Sequence, residues 1–362
     1  MNVLTGRAIR RGGRAGLRRR RSLVGLFLLV AAAGLAACAG GDTGGGDVVN
    51  VYSHRHYEAD REIFRRFTAA TGIEVNVVTA SADELITRLR NEGAASPADV
   101  LITVDAGRLH RAAEEGLLQP VRSSDLEANV PARFRDPAGH WYGLTQRARV
   151  LVYHRDRVDP STLTSYGDLA SPEWSGRVLV RSSSNVYNQS LLAGLIARDG
   201  LEAAERWATG VVANLARAPR GGDTDQIKLV AAGVGDVALV NTYYLARLAG
   251  SSDPEDRRAA ERLAVRFPDQ SGGGTHVNVS GAGVTASSRN VENAVRLLEY
   301  LTGDEAQRLF AEANQEYPVK PDVPWTSILE EWGEFRADTA DLSVLGALNA
   351  EAVRLFDRVG WR

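Results

Sequence analysis

The sequence predicts an α/β protein folded as two lobes, each a mixed, mostly parallel sheet flanked by helices, with strands crossing between them. Three observations carry this expectation. From residue 48 onward short β-branched runs alternate with helical patterns, the rhythm of strand, helix, strand units whose crossovers demand parallel strands. The 362 residues exceed what one small core needs. Two long apolar stretches, near residues 150 and 280, are placed to carry the chain out of a first lobe and back again.

The chain opens with an expected export signal over 1–37. Its first 21 residues hold eight arginines and no acid, and "SLVGLFLLVAAAGLAA" follows. That apolar run is shorter than the ~20 residues a membrane-spanning helix needs and ends in small residues rather than a second charged flank. Cys38 is the sole cysteine, which excludes an intrachain disulfide and any cysteine-based metal cluster. "LAAC" at 35–38 resembles the lipobox of bacterial lipoproteins, in which the cysteine becomes the lipidated first residue. "RRRRSLV" also admits a twin-arginine route of export. "AGGDTGGGD" over 39–47, too polar and glycine-rich to fold, makes 38–47 a flexible tether. Removing the eight arginines of the signal leaves 35 basic against 45 acidic residues. A body near −10 is a poor partner for nucleic acid.

The first lobe is expected over 48–146 plus about 266–320, the second over 147–265 plus about 321–362. "VVNVYS" and "IEVNVVTA" read as strands; "DREIFRRFTAATG" and "ADELITRLRNEG" read as helices, each closing on glycine. In "ADVLITVDAGRLHRAAEEG" the run Val100 to Val104 suits a strand buried on both faces, and Asp105 is placed to cap the next helix. Beyond "DPAGHWYGLTQ", the stretch "RARVLVYHRDRV" is the outward crossing strand and "VRFPDQSGGGTHVNVSGAGVTASS" the return. "NVENAVRLLEYLTGDEAQRLFAEANQEYPV" reads as helical. Double crossing is the layout of a hinged binder that holds its ligand between the lobes, at the carboxyl ends of strands.

Tyrosine at such ends carries the chemistry. A phenol with a pKa near ~10 is a poor metal ligand unless a strongly charged cation drives off its proton. Iron(III), hard and trivalent, favours anionic oxygen, and imidazole can complete its shell. Zinc would call for cysteine or several histidines, and calcium for carboxylates. Three segments offer the donors: His56 with Tyr57 in "YSHRHYEADREIF", Tyr187 in "SSSNVYNQS", and Tyr243 with Tyr244 in "NTYYLARL". Neighbours on a regular strand face opposite ways, so both members of a pair reach one ion only where the backbone turns. Spacing does not say that the three segments meet. His54, His110, His140, His154 and His276 read as structural, Asp99 and Asp105 as capping or loop-bonding acids, and Trp141 and Tyr142 as aromatics that could line the cleft. No nucleophile elbow, HExxH or phosphate-binding GxxxxGK[ST] occurs, so the expectation is a non-enzyme.

"RHYEADREIF", "SPADVLITVDAGRL", "GHWYGLTQRARVLVY", "RSSSNVYNQSL", "GDVALVNTYYLARL" and "VNVSGAGVT", in this order, resemble the bacterial ferric-ion-binding proteins of ABC iron transporters, in the branch that uses one histidine and four tyrosines. The resemblance covers the chain from about Val48 to its end. It implies the class II type of the two-lobed periplasmic-binding-protein fold, and Fe(3+) as the transported ligand. His56, Tyr57, Tyr187, Tyr243 and Tyr244 are the implied metal ligands, with Arg147 and Arg149 as cationic or anion-binding neighbours. It implies an exported monomer, anchored by lipid at Cys38 to the outer face of the cytoplasmic membrane, at the cell surface or in the periplasm, that delivers iron to a permease and its ATPase. Two other readings stay open: a small organic or anionic solute held by Arg147, Arg149 and Arg181, and a secreted iron redox enzyme. One consequence is testable at once. Replacing Cys38→Ser should move the protein from the detergent phase to the aqueous phase on phase partitioning; unchanged partitioning would contradict the anchor.

Overall fold

The computed structural model describes residues 48–362; the signal, Cys38 and the tether expected over 1–47 lie outside the described residues. Among the described residues no helix is long and apolar enough to cross a membrane.

Strand β1 (Val48–Ser53) pairs in parallel with β2 (Glu74–Thr79) and β3 (Val100–Thr103). The helices Glu58–Thr71 and Ala82–Glu92 make the crossovers. The first buries Ile63, Phe64 and Phe67 and stops at Gly72, whose φ of 76° is left-handed and costs glycine nothing. The second starts with a capping box: Ser81 Oγ accepts from Glu84 N, and Glu84 accepts from Ser81 N. Asp105 caps the helix Ala106–Glu114 by accepting from Arg108 N at 2.9 Å, the role its position after β3 suggested. Asp99 accepts from Asn50 N and from Ser288 Oγ, a loop-bonding acid.

Strand β4 (Tyr142–His154) is buried along all 13 residues. Beyond it come β5 (Val178–Leu179), β6 (Val237–Asn241), β7 (Leu263–Arg266), β8 (Val277–Val284) and β9 (Tyr317–Pro318). The sheet runs β2-β1-β3-β8-β4-β6-β5, with β7 and β9 also on β4. Only β1/β2, β1/β3 and β5/β6 are parallel; β3/β8, β4/β6, β4/β7, β4/β8 and β4/β9 are antiparallel. The expected parallel pairing thus belongs to the two ends. The middle is antiparallel because β4 carries the chain outward and β8 brings it back, so each must run against the other.

Side chains along these two strands show the crossing. Leu144 lies in a core with Val51, Phe67 and Leu101, whereas Leu151 packs with Trp174, Leu192 and Phe356, and Val150 with Ile227, Val240 and Leu248. On β8, Val279 and Ala282 belong to the first core and Val277 to the last. Near the C-terminus, Leu342 and Leu345 return to the first core before Leu355 and Phe356 join the second. A Cβ on Gly107 would sit 2.9 Å from the Leu345 carbonyl, so only glycine admits this close approach.

Two details differ from the sequence reading. The helical stretch over 290–319 is two helices, Val291–Thr302 and Asp304–Asn314, broken at Gly303 (ψ 166°) and followed by β9. Trp141 and Tyr142 do not line a cleft. Both are at most 2% exposed in the first core, and Tyr142 Oη donates to the Val121 carbonyl at 2.8 Å, because a residue opening a strand buried on both faces has nowhere else to point.

His276 leads into β8, and its carbonyl accepts from Arg149 N at 2.9 Å. Burial first, then the charges of Arg147 and Arg149, hold this imidazole down to about 3 from its ordinary 6.5. Once unfolded, the ring gains a proton below its ordinary value while the folded ring stays neutral. Stability should therefore fall as pH drops from about 6.5 towards 3, by up to about 1.4 kcal/mol per pH unit from this group. In His276→Gln the slope of the urea midpoint against pH should flatten over that window; an unchanged slope would assign the acid sensitivity elsewhere.

Candidate metal centre

The candidate tyrosines share one kind of local structure. Strand β1 ends at Ser53, and Tyr57 is the N-cap of the helix Glu58–Thr71. Strand β5 leads to the helix Val186–Asp199, where the Asn185 side chain accepts from Tyr187 N at 3.0 Å. Strand β6 runs directly into the helix Thr242–Ala249, whose first turn holds Tyr243 and Tyr244. Each donor thus stands after the carboxyl end of a parallel strand and at the start of a helix. Backbone N–H groups and the helix dipole favour negative charge there.

These starts converge. Tyr243 Oη donates to Tyr187 Oη at 3.1 Å, and the Tyr243 and Tyr244 rings lie 4.3 Å apart at 32°. Tyr57 joins from the start of the helix that follows β1. Burial raises its phenol above the ordinary value, and Tyr187 and Glu316 add to that, while Arg55 and a hydrogen bond with Tyr243 oppose it. Tyr243 is raised well above its ordinary value, by burial and then by Tyr187, Tyr57 and Tyr244. Tyr244 is raised by burial, then by Tyr187, Asp223 and Tyr57. In each of these three, neighbouring phenols disfavour ionisation. Such a set keeps its protons at neutral pH until a concentrated positive charge replaces them.

His56 stacks on Tyr57 with ring centroids 5.4 Å apart and an interplanar angle of 26°. It is exposed, with Nδ1 3.4 Å from the His54 carbonyl. It therefore stands at the rim, beside one tyrosine. Among the described residues no group of three or more His, Cys, Asp or Glu side chains could hold a metal. His140 bonds Asp136 at 2.8 Å and His154 accepts from Asp156 N.

Arginines surround the phenols. The guanidinium carbons of Arg147 and Arg181 each lie 5.5 Å from the Tyr187 ring centre, and those of Arg55 and Arg247 lie 5.1 and 5.6 Å from the Tyr57 ring centre. Arg147 also donates to the Val104 carbonyl across from the first lobe. Arg149 is engaged by neighbouring side chains instead. It is 1% exposed and bonds Asp223 Oδ2 at 2.6 Å, Asn188 Oδ1 at 2.7 Å and Asn241 Oδ1 at 3.3 Å. Asn188 follows Tyr187 and Asn241 precedes the Tyr243 helix, so Arg149 fixes the two tyrosine-bearing segments to one another. Asp223, fully buried, also accepts from Asn241 N and lies 3.6 Å from Arg181 Nη1.

The sequence reading left Arg55, Asp60, Asp223, Arg247 and Glu316 without a role at the site. Arg55 stands next to the His56 and Tyr57 pair in the chain, which was a usable signal. Glu316 comes from the far end of the chain, and nothing local to it announces that it meets Arg55.

A model of the family described as bacterial extracellular solute-binding protein matches residues 95–335. Iron uptake protein A1 of Synechocystis sp. is 50% identical over 314 residues, which are 87% of this chain and 87% of that protein. A Trichodesmium protein, solved in complex with iron and citrate ligands, is 52% identical with a TM-score of 0.83, covering 87% of this chain and 100% of that one. The ferric binding protein from Campylobacter jejuni is 41% identical with a TM-score of 0.84, again over 87% and 100%.

Proposed function

We propose that this chain, which belongs to the bacterial extracellular solute-binding protein family, captures Fe(III) between its lobes and delivers it to an ABC permease and its ATPase. One observation carries the reading: phenols from three helix starts, far apart in sequence, meet at one place. Tyr57, Tyr187, Tyr243 and Tyr244 would bind as phenolates, and His56 would turn in from the rim to complete the shell. Four phenolates and a trivalent ion sum to −1, a charge that Arg147, Arg181, Arg55 and Arg247 are placed to offset. Five protein ligands leave at most one octahedral position, which argues against a redox enzyme that must admit a substrate. An anionic solute is the weaker reading, since Arg149 is engaged by Asp223 and two asparagines.

The lobes in this proposal are 48–146 with about 266–320, and 147–265 with about 321–362, the short helix Val344–Ala347 bridging back to the first core. Tyr57 comes from the first lobe and the other tyrosines from the second, so binding and closure are linked. The protein would work as a monomer, exported and held by lipid at Cys38 to the outer face of the cytoplasmic membrane.

Ferric ion added to the purified protein should produce a visible phenolate-to-iron band. Its affinity should weaken as pH falls, because Tyr57, Tyr243 and Tyr244 must each first release a proton that burial and neighbouring groups hold tightly. The double substitution Tyr243→Phe with Tyr244→Phe should abolish band and tight binding. Full colour and affinity in that variant would reject the ligand set.

A further inference from the structure

Arg55 is 3% exposed, and its guanidinium joins four parts of the chain. Nε donates to Asp60 Oδ1 at 3.1 Å, within the helix that Tyr57 caps. Nη1 donates to Ser280 Oγ on β8 at 2.8 Å and to Thr145 Oγ1 on β4 at 3.3 Å. Nη2 donates to Glu316 Oε2 at 3.0 Å, and Glu316 accepts in turn from Thr145 Oγ1. The other oxygen of Asp60 accepts from Tyr57 N at 3.2 Å. The planar cation also lies against two rings, 5.1 Å from the centre of Tyr57 and 4.9 Å from that of Phe310. The segment bearing Tyr57 is thus bonded, through one side chain, to both strands that cross between the lobes.

Resting on the ferric reading above, we propose that Arg55 is the positioning residue for Tyr57: it sets where this phenol stands against the second lobe's tyrosines and ties that position to the crossing strands. The task needs a guanidinium. A fork of fixed donors can hold Asp60, Glu316 and two hydroxyls at once while its carbon stands about 5 Å from a ring centre, whereas an ammonium is a single point that cannot reach all of them. Arg55 does not touch the ion in this scheme; it acts through Tyr57.

The test is a double-mutant cycle on ferric ion binding, read by competition against nitrilotriacetate and by the visible band per bound iron. Arg55→Lys should lower affinity by about tenfold or more and weaken the band as Tyr57→Phe does, and adding it to Tyr57→Phe should change neither further. An unaltered band and affinity in Arg55→Lys, or losses that add in the double variant, would overturn the inference. Circular dichroism checks folding; should Arg55→Lys not fold, Glu316→Gln, which keeps the shape and removes the charge facing Nη2, takes its place in the same cycle with the same criteria. A wild-type protein that takes up no ferric ion would overturn the functional reading and this inference with it, whereas a binding wild type with additive losses overturns this inference alone.

Discussion

Everything about the site turns on a conflict between burial and charge. The Tyr243 phenol is buried and those of Tyr57 and Tyr244 are half-buried, all three crowded by other phenols, so each resists losing its proton. A group in that state is nearly inert towards weakly charged cations. A small trivalent ion changes the balance, since its attraction for an anionic oxygen grows in the same dry surroundings that disfavour a lone phenolate. The crowding that keeps these phenols protonated is therefore also what would make the site selective.

The fold produces this crowding by a simple topological device. Strands β1, β5 and β6 each lead to a helix start, and the tyrosines at these starts come together. Buried charge networks then hold the starts in register. Arg149 and Asp223 do so around Tyr187 and Tyr243, and Arg55 with Asp60 and Glu316 does so around Tyr57. Such networks are weak sources of net stability, because desolvation offsets much of their attraction, but breaking one partner is costly. Their effect is on geometry: they give short side chains on separate segments one permitted arrangement.

Much of this was legible in the sequence, and the reasons are physical. Strand and helix identity followed from local periodicity, and Asp105 as a cap followed from its place at the end of an apolar run. The pairs His56 with Tyr57 and Tyr243 with Tyr244 stood out because both fall where a strand turns into a helix. Pairing direction was less legible. Strands β4 and β8 read as strands, but their antiparallel contact is a long-range fact that follows from the path of the chain. The same holds for Arg149, which the resemblance implied as a cationic neighbour of the ligands and which ties Asp223 to Asn188 and Asn241. Alternation along a strand says which side a residue takes, not which partners arrive there.

The central claim is that these phenols, brought from three helix starts, close on a single ferric ion. Anomalous diffraction at the iron edge, from crystals grown with ferric salt, tests it most directly. The account predicts one strong peak within bonding distance of the Tyr57, Tyr187, Tyr243 and Tyr244 hydroxyl oxygens. A peak bound elsewhere, or none between those four rings, would contradict it.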